Sequence, residues 1–271
     1  MRPFLKWAGS KQNIIGRIKA VLPAGRTLIE PFAGSCAVSL NTDYRNYLLS
    51  DINQDLINLY KNLQTEGEPF IQYCRTFFTE ENKTRERFIE LRHIFNNTSD
   101  IRLKAALFLY LNRFCYNGLC RYNSKGIFNS PFGRLKPYFP EEEMRNFHKK
   151  LKYARFECSD FRDIMNRARE GCVVYADPPY DPLTSTSNFT TYSAGGFNRK
   201  DQADLVKLAH QLTERGVPVL ISNQATDFII TLFQGAAMDT FEVRRYISCA
   251  DRNMAREVLA LFAPERQVVN L

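Results

Sequence analysis

The sequence is short of the residues that mark several common protein classes. It holds three histidines in 271 residues, at 93, 148 and 210. None is spaced from another like a ligand pair, which argues against a histidine-based metal enzyme; no metal is expected. The seven cysteines (36, 74, 115, 120, 158, 172 and 249) include no C-x-x-C pair. An odd, scattered set fits reduced thiols that fill a core, and neither a disulfide scaffold nor a zinc site. Long apolar runs are missing too: the longest covers residues 105–111, far short of the ~20 needed to cross a bilayer. The opening Met1-Arg2-Pro3-Phe4-Leu5-Lys6-Trp7 lacks the apolar stretch of a signal peptide. A cytoplasmic protein is expected, with no membrane partner and monomeric in solution.

What is present is enough to build a sizeable core, since 44% of residues are hydrophobic and 13% aromatic. Lys and Arg total 37 against 29 Asp and Glu, a formal charge of +8. The excess is concentrated. Residues 101–140 contain no acid but carry Arg102, Lys104, Arg113, Arg121, Lys125, Arg134 and Lys136, seven of the eight surplus charges. Such a block points to a polyanion-binding surface.

Short apolar runs alternate with amphipathic stretches, the pattern of βα units around a largely parallel sheet. The strand candidates are 27–32, 47–52, 155–159, 172–176, 217–223, 241–246 and 258–262. Helices fit 11–22, a segment capped by Asp160 and ended before Gly171, and 199–215, which Asn198 caps and Gly216 stops. Residues 54–152 show only helical periodicity, at 56–63, 69–78, 88–95, 102–113 and 141–151. Within them, 114–140 is rich in Gly, Asn, Ser, Pro and aromatics and reads as loops or a hairpin. A helical insert is therefore expected between the second and third strands.

Three motifs fall at predicted strand ends, where α/β folds bind ligands. Ile29-Glu30-Pro31-Phe32-Ala33-Gly34-Ser35 offers a glycine turn, with N–H groups from a following helix start, or else is an ordinary βα turn. Cys36 replaces a possible second glycine, which argues against a dinucleotide and leaves a nucleoside-like ligand open. Asp51 follows Gly34 by 17 residues, a spacing that suits a carboxylate bonding ribose hydroxyls; a helix cap is the alternative, and Asp55 would serve as well. The sharpest motif is Asp177-Pro178-Pro179-Tyr180. The two prolines fix a rigid loop. The Asp177 carboxylate and Pro178 carbonyl can accept both N–H groups of an exocyclic base amine, localising its lone pair for attack, and Tyr180 can stack on a base turned out of its duplex. In the basic stretch Tyr116, Asn117, Arg121, Tyr122, Asn123, Lys125, Phe128, Asn129, Phe132 and Arg134 interleave charge, amide and aromatic groups suited to base edges and to the gap left by an extruded base. Arg102 and Lys104 are assigned only to the field, and Arg244 and Arg245 either to phosphates or to solvent.

Asp-Pro-Pro-Tyr is the signature of amino-group methyltransferases that use S-adenosylmethionine, and from about Phe4 to Pro264 the chain resembles the Dam DNA adenine methyltransferases. The resemblance rests on Phe4-Leu5-Lys6-Trp7-Ala8-Gly9-Ser10-Lys11, on Glu30-Pro31-Phe32-Ala33-Gly34, and on Leu111-Asn112-Arg113 with Tyr116-Asn117-Gly118-Leu119-Cys120-Arg121-Tyr122-Asn123. It implies a Rossmann-like, seven-stranded, mostly parallel α/β sheet, with residues 1–55 and 145–271 as the catalytic domain and 56–144 as a helical target-recognition domain. It implies methyl transfer from S-adenosylmethionine, leaving S-adenosylhomocysteine, to adenine N6 in double-stranded GATC sites. Asp177, Pro178 and Tyr180 are then catalytic, and Trp7, Lys11, Phe32, Gly34, Asp51 and Asp177 hold the cofactor. Lys6, Arg113, Tyr116, Asn117, Leu119, Arg121, Asn123, Pro131 and Arg134 approach the DNA. Ser10, Cys36 and Leu135 depart from the family pattern. RNA adenine, protein glutamine and a regulator with a vestigial cofactor fold are the rival readings. The loop 184–197 is expected to order over DNA.

Overall fold

The computed structural model describes residues 1–133, 137–180, 196–244 and 254–264; the side chains of Arg244 and Met254 lie outside the description. In chain order the elements are α1 (Ile15–Val21), β1 (Thr27–Glu30), β2 (Asn46–Asp51), α2 (Gln54–Glu66), α3 (Glu68–Arg75), α4 (Arg85–Asn97), α5 (Ile101–Phe114), α6 (Glu141–Lys150), β3 (Arg155–Cys158), α7 (Phe161–Asn166), β4 (Cys172–Ala176), α8 (Arg199–Glu214), β5 (Val219–Gln224), α9 (Asp227–Leu232), β6 (Ala237–Arg244) and β7 (Met254–Phe262). The strands form one sheet in the order β3-β2-β1-β4-β5-β7-β6. Pairing from β3 through β5 is parallel, and β7 runs antiparallel to both of its neighbours.

Central strands covered on both faces carry mostly apolar side chains along their length, and here polar residues gather at the carboxyl ends, Glu30 on β1 and Ser222, Asn223 and Gln224 on β5. Leu28, Val173, Leu220 and Leu259 join one core, while Ile29, Val174, Ile221 and Val258 point to the other. The second core lies under α7, α8 and α9. The first runs on without a break into the insert, through Tyr60, Phe108 and Phe147. Residues 105–114 of α5 are all buried, which explains why the longest apolar run of the chain belongs to a helix surrounded by others. Both expected domain boundaries fall inside helices, 55/56 in α2 and 144/145 in α6.

Several sequence expectations shift by local physics. Helix 11–22 begins as a 3-10 turn, Lys11–Ile14, before α1. Asp160 caps α7 as expected, but the helix ends at Asn166. Gly171 instead makes the turn into β4, at φ +83°, where its carbonyl accepts from the N–H groups of Arg26 and Thr27. Strand 217–223 starts two residues late because Pro218 has no N–H to pair. No α-helix follows β1: a three-residue 3-10 turn, Ser39–Asn41, stands where a helix start was expected. The cap of α2 is Asn53, which accepts from Leu56 N–H at 3.0 Å, so Asp55 is left for another partner.

Candidate active site

The strand order reverses direction between β1 and β4, and the segments leaving them meet at the carboxyl edge of the sheet. The loop after β4 supplies Asp177. Its Oδ2 is 2.7 Å from Lys11 Nζ, and its Oδ1 accepts from Ser222 Oγ on β5 at 2.9 Å. Ser222 Oγ is in turn 2.9 Å from the Tyr175 hydroxyl. Lys11 is buried and also donates to the Gly9 carbonyl at 2.7 Å. Burial, the largest single influence, lowers its pKa, but Asp177 together with Tyr175 and Glu257 outweighs it and the net direction is up, so Lys11 carries its charge. The same ammonium lies 4.9 Å from the centre of the Tyr180 ring, close enough for cation–π attraction. One lysine thus holds both ends of the Asp177–Tyr180 motif.

After β1, Gly34 takes φ +44°, and a β-carbon there would come within 2.9 Å of the Trp7 indole. The glycine therefore makes a close approach between two motifs possible. Its N–H donates to Asp51 Oδ2 at 3.1 Å, while Asp51 Oδ1 accepts from Asn53 N–H at 2.9 Å. Burial raises the Asp51 pKa, and the backbone donors of Asn53 and Gly34 pull against it. Phe32 packs on Phe161 and Phe197, with ring centres 5.3 and 5.5 Å apart. Ile52, the residue after Asp51, is 53% exposed at the same edge. Cys36 adopts φ +58°, the left-handed conformation that a glycine at this position would enter without strain. Trp7, Lys11, Phe32, Gly34, Asp51 and Asp177 are thus gathered by the ends of three adjacent strands and the N-terminal segment.

These residues fit S-adenosylmethionine. The Trp7 indole closes directly on Gly34, Ile52 offers an exposed apolar face and Asp51 a carboxylate beside it. One oxygen of buried Glu30, Oε1, has no hydrogen-bond partner.

The second cluster is the hairpin that follows α5. Bridges at Cys115–Phe132 and Tyr122–Phe128 close it, and Tyr116 N–H donates to the Pro131 carbonyl. Tyr116, Asn117, Arg121 and Pro131 are exposed and Leu119 is half-buried. Asn117 holds φ +53°, which asparagine tolerates better than most residues. Half-buried Lys6 joins them because Asn112 grips its peptide unit. Asn112 Oδ1 accepts from Lys6 N–H at 3.0 Å, and Nδ2 donates to the Lys6 carbonyl at 2.6 Å and to the Gly118 carbonyl at 3.2 Å. Burial, then the charge of Arg113, lowers the Lys6 pKa.

Other expected DNA contacts are placed elsewhere. Arg113 is only 6% exposed and reaches the carbonyls of Phe4 and Tyr138, each at 3.4 Å, so it braces the N-terminal motif from within. Asn123 closes the hairpin tip, its Oδ1 accepting from the N–H groups of Lys125 and Ile127 at 3.0 Å. Phe128 and Phe132 pack inward on Phe95 and Phe88, and the Tyr122 hydroxyl donates to Asp55 at 2.7 Å. All three rings are thus tied into the body of the protein, Phe128 fully buried and Tyr122 and Phe132 half-buried. Arg134, Leu135, Lys136, residues 184–195 and Arg245 lie outside the described residues. Sequence reasoning missed Ser222 and quoted Asn112 only as part of a motif without a role, because their roles depend on which strands and loops become neighbours.

The sheet order is that of a Rossmann-like α/β fold, and the family that the sequence matches is one of methyltransferases. The family model for D12 class N6 adenine-specific DNA methyltransferases matches residues 7–247, and the chain belongs to that family. It is 50% identical over 265 residues to the DNA adenine methylase of Serratia marcescens, covering 96% of this chain and 98% of that one. It is 46% identical over 266 residues to the DNA adenine methylase of Escherichia coli K12, covering 97% and 96%. Among solved structures, the rRNA methyltransferase aviRa from Streptomyces viridochromogenes superposes with a TM-score of 0.39 at 13% identity, covering 93% of this chain and 84% of that one. The protein is an adenine-specific DNA methyltransferase. Among the described residues no helix is long and apolar enough to cross a membrane.

Proposed function

We propose that the chain methylates adenine N6 in double-stranded GATC sites, with Asp177, Pro178 and Tyr180 receiving the flipped base and the hairpin with Lys6 reading its neighbours. The observation that carries this reading is the immobilised Asp177 carboxylate. Ser222 and Lys11 each take one lone pair and prevent the group from turning, and the remaining lone pairs can accept an N6–H. The Pro178 carbonyl accepts the other N6–H, so the amine lone pair is directed away from the ring. The Tyr180 face supports the base against the loss of its stacking partners. S-adenosylmethionine, when bound, supplies an electrophilic methyl group already activated by its sulfonium, and S-adenosylhomocysteine is the product. Trp7, Phe32, Gly34, Asp51 and Lys11 would hold it, and the protein contributes alignment and fixed charge. Alkylation of this kind needs no metal.

Residues 56–144 act as the target-recognition unit and residues 1–55 with 145–271 as the catalytic unit. One chain carries both, so a monomer suffices, acting in the cytoplasm where bacterial DNA lies. The test is transfer of a labelled methyl group to GATC and scrambled duplexes, and to RNA of the same sequence, by wild type and Asp177→Ala. Transfer to the GATC duplex alone, lost in Asp177→Ala, is the expected result. Equal transfer to scrambled duplex would overturn the site assignment, and an active Asp177→Ala the catalytic one.

A further inference from the structure

The Asp177–Tyr180 loop has an unusual shortage. Pro178 and Pro179 carry no N–H, so neither residue can anchor itself by donating a backbone hydrogen bond. Their rings fix φ but leave ψ open, and ψ at Pro179 decides where Tyr180 points. Some outside group must hold the carbonyls of this loop. Gln202, on the second turn of α8, does so: its Nε2 donates to the Pro179 carbonyl at 2.9 Å. The amide is itself held, because Gln202 Oε1 accepts from Asn223 Nδ2 on β5 at 3.0 Å. Asn223 Oδ1 in turn accepts from the N–H of Gln224 at 2.8 Å, which fixes which way its amide faces. Gln202 and Asn223 are 1% and 0% exposed, so water does not compete for these bonds.

We infer that Gln202, oriented by Asn223, is a positioning residue for methyl transfer, setting the Pro179 peptide plane so that the Pro178 carbonyl and the Tyr180 ring meet the target base together. The inference rests on the catalytic reading of Asp177–Tyr180. Gln202 bonds the carbonyl next to the one proposed to accept the amine, and so acts through the backbone. Its neighbour on β5, Ser222, holds the Asp177 side chain. Adjacent residues of one strand thus steady both ends of the motif, Ser222 directly and Asn223 through Gln202. The capping box of α8, in which Asn198 and Asp201 bond each other's backbone, fixes the start of the helix that carries Gln202.

The experiment compares wild type, Gln202→Met, Gln202→Glu, Asn223→Ala and Asp177→Ala in single-turnover methyl transfer to a GATC duplex at saturating cofactor. Dissociation constants for cofactor and duplex and the unfolding midpoint are measured alongside. Gln202→Met keeps the volume and removes the donor; the expected result is a rate at least tenfold lower, with both dissociation constants within twofold of wild type. Asn223→Ala, which leaves the Gln202 amide without its guide, should fall in the same direction by a smaller factor. Gln202→Glu, which sets an anion against the Pro179 carbonyl, should lose at least as much as Gln202→Met. A wild-type rate in Gln202→Met overturns the proposal, as does a loss shared equally by rate and affinities. Should Gln202→Met fail to fold, the rate of Asn223→Ala decides, and an unchanged rate there overturns the proposal. An active Asp177→Ala would instead remove the reading on which the inference rests.

Discussion

Glu30 ends β1 almost wholly buried, and burial pushes its carboxyl up to about 8, with Ser39 hydrogen bonds opposing the rise. Because the folded pKa lies above the unfolded one, the folded chain keeps a proton that the unfolded chain has already lost. Any advantage is complete below about 4.5 and gone above about 8, a slope of roughly 1.4 kcal/mol per pH unit while it lasts. Glu30→Gln removes this dependence. The stability of wild type relative to Glu30→Gln, from denaturant unfolding, should therefore fall between about pH 5 and 8; a constant difference would show that the carboxyl ionises without penalty. Gly34 is a second residue with a definite expectation. Gly34→Ala forces a β-carbon against Trp7 at positive φ, and cofactor affinity should drop about tenfold, for a misfit on the order of 1.4 kcal/mol. Titration calorimetry would check this, and unchanged affinity would remove Trp7 and Gly34 from the cofactor site.

At the scale of elements, β4 was legible to the residue, and α8 to within one residue at its end, because apolar runs and capping residues carry local signals. The hairpin was legible only as a place. Its aromatic residues read as base contacts because composition does not say which face of a loop turns inward, and Phe128 and Phe132 complete the core beside α4. Two α4 side chains pin it: Asn96 exchanges hydrogen bonds with the Phe128 backbone, and Arg92 reaches the Ser130 carbonyl at 2.8 Å. Asn112 pins it to the N-terminal motif. An amide matches a peptide group donor for acceptor, and its loss leaves buried partners unmet. Asn112→Ala should cost about 2–4 kcal/mol, seen as a lower unfolding midpoint. Asn112→Asp should cost more, since a carboxylate would then face two carbonyls. A variant as stable as wild type would show that the hairpin is held by its rings alone.

For the molecule as a whole, the charge excess must be recounted by where each side chain goes. Arg102 is spent on Glu66 at 2.8 Å, Lys104 lies 3.4 Å from Asp55, and Arg113 is interior. Of the seven basic residues, Arg121 and Lys125 are the described ones left facing outward, a distinction that net charge alone does not reveal. Lys125→Gln should weaken duplex binding and lower the slope of log affinity against log salt by about one unit, with cofactor affinity unchanged. Arg102→Gln should leave that slope alone. Equal slopes for Lys125→Gln and wild type would move the phosphate contacts elsewhere. The placement of β7 has a consequence for how the protein is made. Thr27 of β1 waits for Cys172 of β4, and β5 and β6 wait for β7 to pass between them. At about 5–20 residues per second, a growing chain therefore exposes the hairpin after α5 several seconds before the seven-stranded sheet can close. Fragments ending before residue 254 leave a raw edge on β5. A chain released early from the ribosome would carry the hairpin proposed to read DNA without a closed sheet to hold Asp177 for the marking step.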